Sequence, residues 1–312
     1  MSELFILSCS ERDSGGGIYK FLLTVNGELK RLAYFPCDKP MYGALDGRNL
    51  CVLLRAPFKK SENSGYFFID KNLKAPSGIK STLGKCACHL SADKDVFIAN
   101  YLSGSVLKNG SRLILHTGRG VNPVRQEMPH PHFAGLSPDK KYLLCSDLGL
   151  DTIFVYDRNL SLLSAAKVPS GYGVRHLVFV GGGNVFYAIN ELYPSISVFN
   201  FLNGRAEYLK TVPLPVNDKN STAAAIRLAD GGKTVYASVR GENAVYALSV
   251  NGEDLRVTDK FGSNGVSPRD FDIIGNYIIV ANEETGVSVI DRRNKKEVYN
   301  LPLSCPLNVI KI

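Results

Sequence analysis

The sequence predicts an all-β protein, a seven-bladed β-propeller of four-stranded antiparallel blades whose first blade is closed by the C-terminal strand. Three observations lead there. An apolar strand, a Pro/Asp/Gly turn, a second apolar strand ending in Asn or Asp, a polar loop and a third strand recur along the whole chain. Aligned on the second strands, the units end at Ser8, Leu54, Asn100, Asp147, Asn190, Ser238 and Asn282, separated by 46, 46, 47, 43, 48 and 44 residues. A repeat that long, made of several short strands, belongs to a propeller rather than to stacked helical units. The two ends of the chain are also complementary. Residues 305–312 read as a first strand, whereas the chain begins with a second strand at residues 4–8. Pairing them closes the ring and removes an exposed sheet edge.

The clearest unit begins at Pro131-His132-Phe133-Ala134-Gly135-Leu136, turns at Ser137-Pro138-Asp139, and continues through residues 141–147 and 153–157. Apolar and polar residues alternate in the same way over residues 185–190, 235–238 and 277–282, and no stretch sustains a helical period. Ser137-Pro138-Asp139, Gly181-Gly182-Gly183-Asn184 and Asp230-Gly231-Gly232 stand where a first strand folds back on a second, and they supply turn geometry. A glycine-rich phosphate cradle would need a helix behind it, and none follows. Uninterrupted repetition argues for one domain over residues 1–312.

Composition excludes several classes of protein. Hydrophobic residues make up 45% and charged residues 21% of the chain, and no apolar run approaches the roughly 18 residues of a membrane span. An acid near the N-terminus, Glu3, and an apolar run that stops early argue against a signal peptide, so a cytoplasmic location is expected. Seven cysteines without an export signal are expected to be reduced. Cys86, Cys88 and His89 have no second ligand pair to complete a zinc site, so neither metal nor cofactor is expected. The net charge of +8 comes from scattered Lys and Arg residues, which suits a small anionic ligand rather than nucleic acid. A monomer or weak dimer is expected.

Strand direction says where side chains meet. Within an antiparallel blade, the residue that opens the first strand and the loop that leaves the second lie on one face. Opening positions are Met41, His132, Arg175, Arg269 and Leu307, and the loops contribute Asp147, Asn190-Glu191, Arg240 and Asn282-Glu283. His132, Arg175 and Arg269 are expected to ring the channel mouth, with Glu191 and Arg240 just outside. Such a group can bind an anion and move a proton. Arg175 and Arg269 could instead pair with acids such as Asp270 and Glu191 to hold blades together. His130 and His176 are weaker candidates because the register turns them away or leaves them in the loop, and His89 reads as packed. His176 and Asp147 join Arg269 as candidate contacts to the anionic group of a substrate.

These residues carry a resemblance. Pro129-His130-Pro131-His132 with Leu136-Ser137-Pro138-Asp139, Gly173-Val174-Arg175-His176-Leu177-Val178-Phe179, Asn190-Glu191-Leu192, Arg240-Gly241 and Pro268-Arg269-Asp270-Phe271 resemble the signatures of the lactonase-type seven-bladed propellers. That family includes bacterial propeller 6-phosphogluconolactonases and fungal carboxymuconate lactonizing enzymes. The resemblance runs from about Tyr42 to the C-terminus, with Val174 standing where the family usually has proline. It implies an active site of one His, two Arg and one Glu, here His132, Arg175, Arg240 and Glu191. The activity expected is metal-free opening of 6-phosphogluconolactone, with His132 or Glu191 as general base, Arg175 or Arg240 at the oxyanion, and Arg269 with the remaining Arg at the phosphate. The alternatives are a carboxymuconate-type cyclase and a non-catalytic binding platform. The chain has no Trp, which argues against the tryptophan-aspartate propellers that serve as platforms.

Overall fold

The structure, a computed structural model, describes residues 1–55, 58 and 61–312. The described residues form seven antiparallel sheets of four strands each, arranged as the blades of a ring. The innermost strands, one per blade, are Pro306–Lys311, Pro40–Leu45, Ala87–Ala92, Pro131–Leu136, Val174–Val180, Thr222–Ala229 and Pro268–Ile274 for blades 1 to 7. The C-terminal strand completes blade 1 as expected, with Phe5 opposite Ile310 and Ile6 opposite Val309. Asn308 extends the seam by accepting the Gly43 N–H at 2.9 Å, which ties blade 1 to blade 2.

Apolar faces of neighbouring blades meet in layers. Tyr187, Ile189 and Val198 of blade 5 pack against Ile226, Val239 and Tyr246 of blade 6, all fully buried. Leu4, Ile6 and Val309 of blade 1 meet Ile279, Val287 and Val289 of blade 7. Each such side chain contributes roughly 1.5–3 kcal/mol relative to exposure. The Asn at the end of a second strand latches the loop that follows. Asn100, Asn190 and Asn282 donate from Nδ2 to Ser105, Ser195 and Ser288 at 3.1, 2.9 and 3.0 Å. The polar end of the repeat is therefore structural, and the residue beyond it is left free to face the channel mouth.

The first strands begin with a shared irregularity. In every blade the register between first and second strands slips next to the mouth, so one extra residue of the first strand is accommodated as a β-bulge. Pro131 faces Asp147 and Phe133 faces Ser146, which leaves His132 over. The same slip singles out Met41, Cys88, Arg175, Arg269 and Leu307, and in blade 6 it takes in Ala224. Bulges re-aim side chains beside functional sites. This one is built seven times around a single mouth.

Candidate active site

A second ring lies beside the bulges. The residue after each second strand donates its N–H to the carbonyl two positions before the bulge: Cys9 to Cys305, Arg55 to Lys39, Tyr101 to Cys86, Leu148 to His130, Glu191 to Gly173 and Glu283 to Ser267. Arg240 of blade 6 occupies the same place, pairing with Thr222. The acceptors Lys39, Cys86, Gly173, Ser267 and Cys305 all have positive φ, a conformation that turns the chain sharply into the strand.

Members of both rings line a cavity of about 170 Å³. Met41, Cys88, His132 and Arg269 come from the bulges, and Arg55, Tyr101, Glu191 and Arg240 from the second ring. Cys86 and Arg125 complete the wall. Arg175 and His176 line a much smaller adjoining void, which shares Met41, Cys88 and Arg269 with the cavity.

Glu191 organises one half of the mouth. Its side chain is 3% exposed, with one carboxylate oxygen 2.5 Å from Arg125 Nη2 and 3.2 Å from Arg240 Nη2. Arg175 Nε stands 2.9 Å from the other oxygen, close enough for an ion pair but not aligned for a hydrogen bond. Burial opposes the charge on Glu191, yet the guanidinium groups of Arg240, Arg175 and Arg125 outweigh it and hold the carboxyl well below its usual range. Burial pushes Arg175 down to about 10, so it stays charged at neutral pH, and its Nη1 donates to the Ala224 carbonyl. The pairing weighed for Arg175 is thus present, whereas Asp270 pairs with Arg227 at 2.5 Å. Arg269 instead meets Glu283 at 3.3 Å.

His132 faces this assembly with a buried Nδ1 that has no hydrogen-bond partner among the described residues. Burial and then Arg175 depress its basicity well below the usual value, against the pull of Glu191, so the ring is neutral near pH 7. Tyr101 stands edge-on to it at 5.6 Å between centroids, and His176 at 5.3 Å.

Two candidate contacts do not line the cavity. Asp147 is wholly buried and accepts the N–H groups of His130 and Leu150, and its other oxygen is 2.6 Å from His116 Nδ1. It ends a second strand, so it serves the loop as Asn190 does. His176 lies one residue past the bulge, among Tyr42, His89 and Phe133, with a buried Nε2 that has no hydrogen-bond partner among the described residues. His130 stacks on Tyr101, and His89 Nδ1 accepts the Ala134 N–H at 3.2 Å. No cluster of His, Cys, Asp or Glu able to hold a metal ion is found among the described residues.

Sequence reasoning missed Arg125, Arg55 and Tyr101. Arg125 rides on the long loop between Arg112–Leu115 and Pro131–Leu136, where no strand register predicts a direction. Arg55 and Tyr101 follow directly after Leu54 and Asn100, and the rule that selects Glu191 would have selected them too.

A ring of seven blades with an Arg-rich, His- and Glu-bearing mouth defines the class of protein as a propeller with a polar, guanidinium-rich centre. The profile "Lactonase, 7-bladed beta-propeller" matches residues 4–299, and the chain belongs to that family. It is 30% identical to the 6-phosphogluconolactonase of Bacillus subtilis over 90% of this chain and 88% of that protein. The proposed 6-phosphogluconolactonase of Bacteroides fragilis superposes with a TM-score of 0.89 at 26% identity, covering 100% of this chain and 98% of the other. The periplasmic gluconolactonase of Pseudomonas aeruginosa shares the fold, with a TM-score of 0.85 at 24% identity and coverage of 100% and 99%.

Proposed function

We propose that this chain adds water to the ring ester of 6-phosphogluconolactone and releases 6-phosphogluconate, in the cytoplasm and without a cofactor. The name of the Bacillus relative supports the substrate, and family membership supports the reaction type. The observation that carries the chemistry is a neutral imidazole, His132, beside a carboxylate that three guanidinium groups keep ionised. A neutral imidazole with a free nitrogen is in the right state to accept a proton. The oxygens of Glu191 are taken up by Arg125, Arg240 and Arg175, whereas His132 keeps a ring nitrogen without a partner among the described residues, so this geometry favours His132 as the base.

In this reading the water oxygen bonds to the lactone carbonyl carbon while His132 takes the water's proton. Glu191 stabilises the imidazolium that forms. The carbonyl electron pair moves onto oxygen, and the oxyanion faces Arg240, which lines the cavity as Arg175 does not. One well-placed donor of this kind contributes about 3 kcal/mol in the transition state. On collapse the bond to the ring oxygen breaks, and the imidazolium returns its proton to that oxygen. Arg269 holds the substrate's anionic group by charge-assisted hydrogen bonds.

The test is acid release from freshly made 6-phosphogluconolactone, compared with gluconolactone and with spontaneous opening of each. Acceleration of the phosphorylated compound is expected. A protein that accelerates neither compound would overturn the proposal.

A further inference from the structure

We infer that Arg55 and Arg269 together form a phosphate subsite, and that Arg55 sets the preference for phosphorylated over unphosphorylated substrate. This rests on the lactonase reading of the same cavity, and it assigns a role to a side chain that the family signatures do not include.

Arg55 is the second-ring residue of blade 2, and Arg269 is the bulge residue of blade 7. Blade 1 lies between them and contributes only the uncharged Leu307 and Cys9 to the two rings. Both guanidinium groups act on the same two thiols, Cys9 and Cys305, which places them on one side of the mouth. Both line the cavity.

Neither is tied into the cluster around Glu191: Arg55 bonds to the Cys86 thiol and feels the charge of Glu283. Arg125 and Arg240 each place a nitrogen within 3.2 Å of Glu191, whereas Arg55 forms no ion pair among the described residues. Among the described residues Arg269 pairs with Glu283, at the long distance of 3.3 Å. Around the cavity and its adjoining void five guanidinium groups meet three carboxylates, Glu191, Asp270 and Glu283, and Asp270 is already paired with Arg227, so the site has charge left for an anion. A phosphate with several acceptor oxygens matches two planar donor forks, and neither fork must break an existing strong pair to receive it. Arg55 is exposed, so it can meet a ligand arriving from solvent.

The experiment compares wild type, Arg55→Ala and Arg55→Lys. Inorganic phosphate, 6-phosphogluconate and gluconate are titrated by calorimetry, and kcat and KM are measured on the phosphorylated and unphosphorylated lactones. Arg55→Ala should weaken phosphate and 6-phosphogluconate binding by about 10- to 100-fold, the range for a charged hydrogen bond. The ratio of kcat/KM between the two lactones should fall by a similar factor, carried by KM. Arg55→Lys, which keeps the charge but not the fork, should fall between the two. Loss of inorganic phosphate binding identifies a free-phosphate site, and loss confined to 6-phosphogluconate identifies recognition of the whole sugar phosphate; either supports the subsite. Unchanged binding of both anions with an unchanged substrate ratio overturns it. If wild type opens neither lactone, the proposed function fails, while the calorimetry still decides the subsite.

Discussion

The two sides of the mouth are built from the same repeat and behave differently. On the side of blades 4, 5 and 6, a buried carboxylate gathers Arg125, Arg175 and Arg240 beside a neutral His132. On the side of blades 7, 1 and 2, Arg269 holds one long pair and Arg55 none among the described residues. Bulge and second-ring positions are equivalent around the ring, so the backbone does not cause the difference. What differs is whether an acid stands in the second ring with room for several guanidiniums. Glu191 does, and it fixes a preorganised arrangement whose donors need no rearrangement when charge develops. Glu283 is more exposed, pairs once, and leaves its side of the mouth free to take up a ligand. On the proposed function, one fold thereby supplies a fixed half for chemistry and an open half for recognition.

This contrast predicts unequal penalties. Replacing His132 with Ala should lower turnover by about 10²–10⁴-fold with little change in KM, whereas Arg269→Ala should mainly raise KM for the phosphorylated lactone, by about tenfold. Steady-state kinetics on both variants decide the matter; equal losses in both parameters for both variants would erase the division between the halves. Stability should follow the same divide. Glu191→Gln strands buried guanidinium groups and should cost about 3–5 kcal/mol, while Glu283→Gln removes a partly exposed pair and should cost less than about 1 kcal/mol. Denaturant titration of the two variants side by side measures this, and similar midpoints would contradict the assigned burial.

A further effect concerns acid. His89, His132 and His176 are all depressed, chiefly by burial, and His89 is pushed down to about 3. A folded-state value below the unfolded one means the unfolded chain binds protons first as pH falls. Stability is therefore fully present above about pH 6.5 and is lost progressively below it. Between pH 7 and pH 5 each of the three should remove about 2 kcal/mol, and His176→Phe should flatten the slope of unfolding free energy by roughly one proton. A pH-independent unfolding free energy over that window would show that these rings charge freely in the folded state.

Much of this was legible in the sequence. Second-strand ends were readable because Asn100, Asn190 and Asn282 each make the same latch to a following Ser, so the residue type recurs with the geometry. Blade 6 was misaligned by one position. Its second strand runs on to Arg240, and Val239 rather than Ser238 faces the residue before the bulge. Outer strands were the hardest to read. Leu162–Lys167 is exposed on both faces for most of its length, and Lys80–Ser81 has only two residues, so neither gives an alternating pattern. Within the site, His132, Glu191, Arg240 and Arg269 followed from strand direction alone and share the cavity. The bulge was invisible, and with it the reason why Arg175 turns toward Glu191 while its neighbour His176 packs among aromatic rings. Asp147 stands away from the cavity for a physical reason: an acid at the end of a second strand serves the loop, and the next residue reaches the mouth.

The strand that completes blade 1, Pro306–Lys311, is also the last of the ring to be synthesised. While every other blade emerges, Ser2–Ser8 has a partner on one flank only, and its other flank presents unpaired N–H and carbonyl groups. Such a flank is a template for strands of other chains. Exposure to aggregation during production is thus set by how quickly translation delivers the final strand, and slowing the ribosome over the last blade should lower soluble yield without altering the finished molecule.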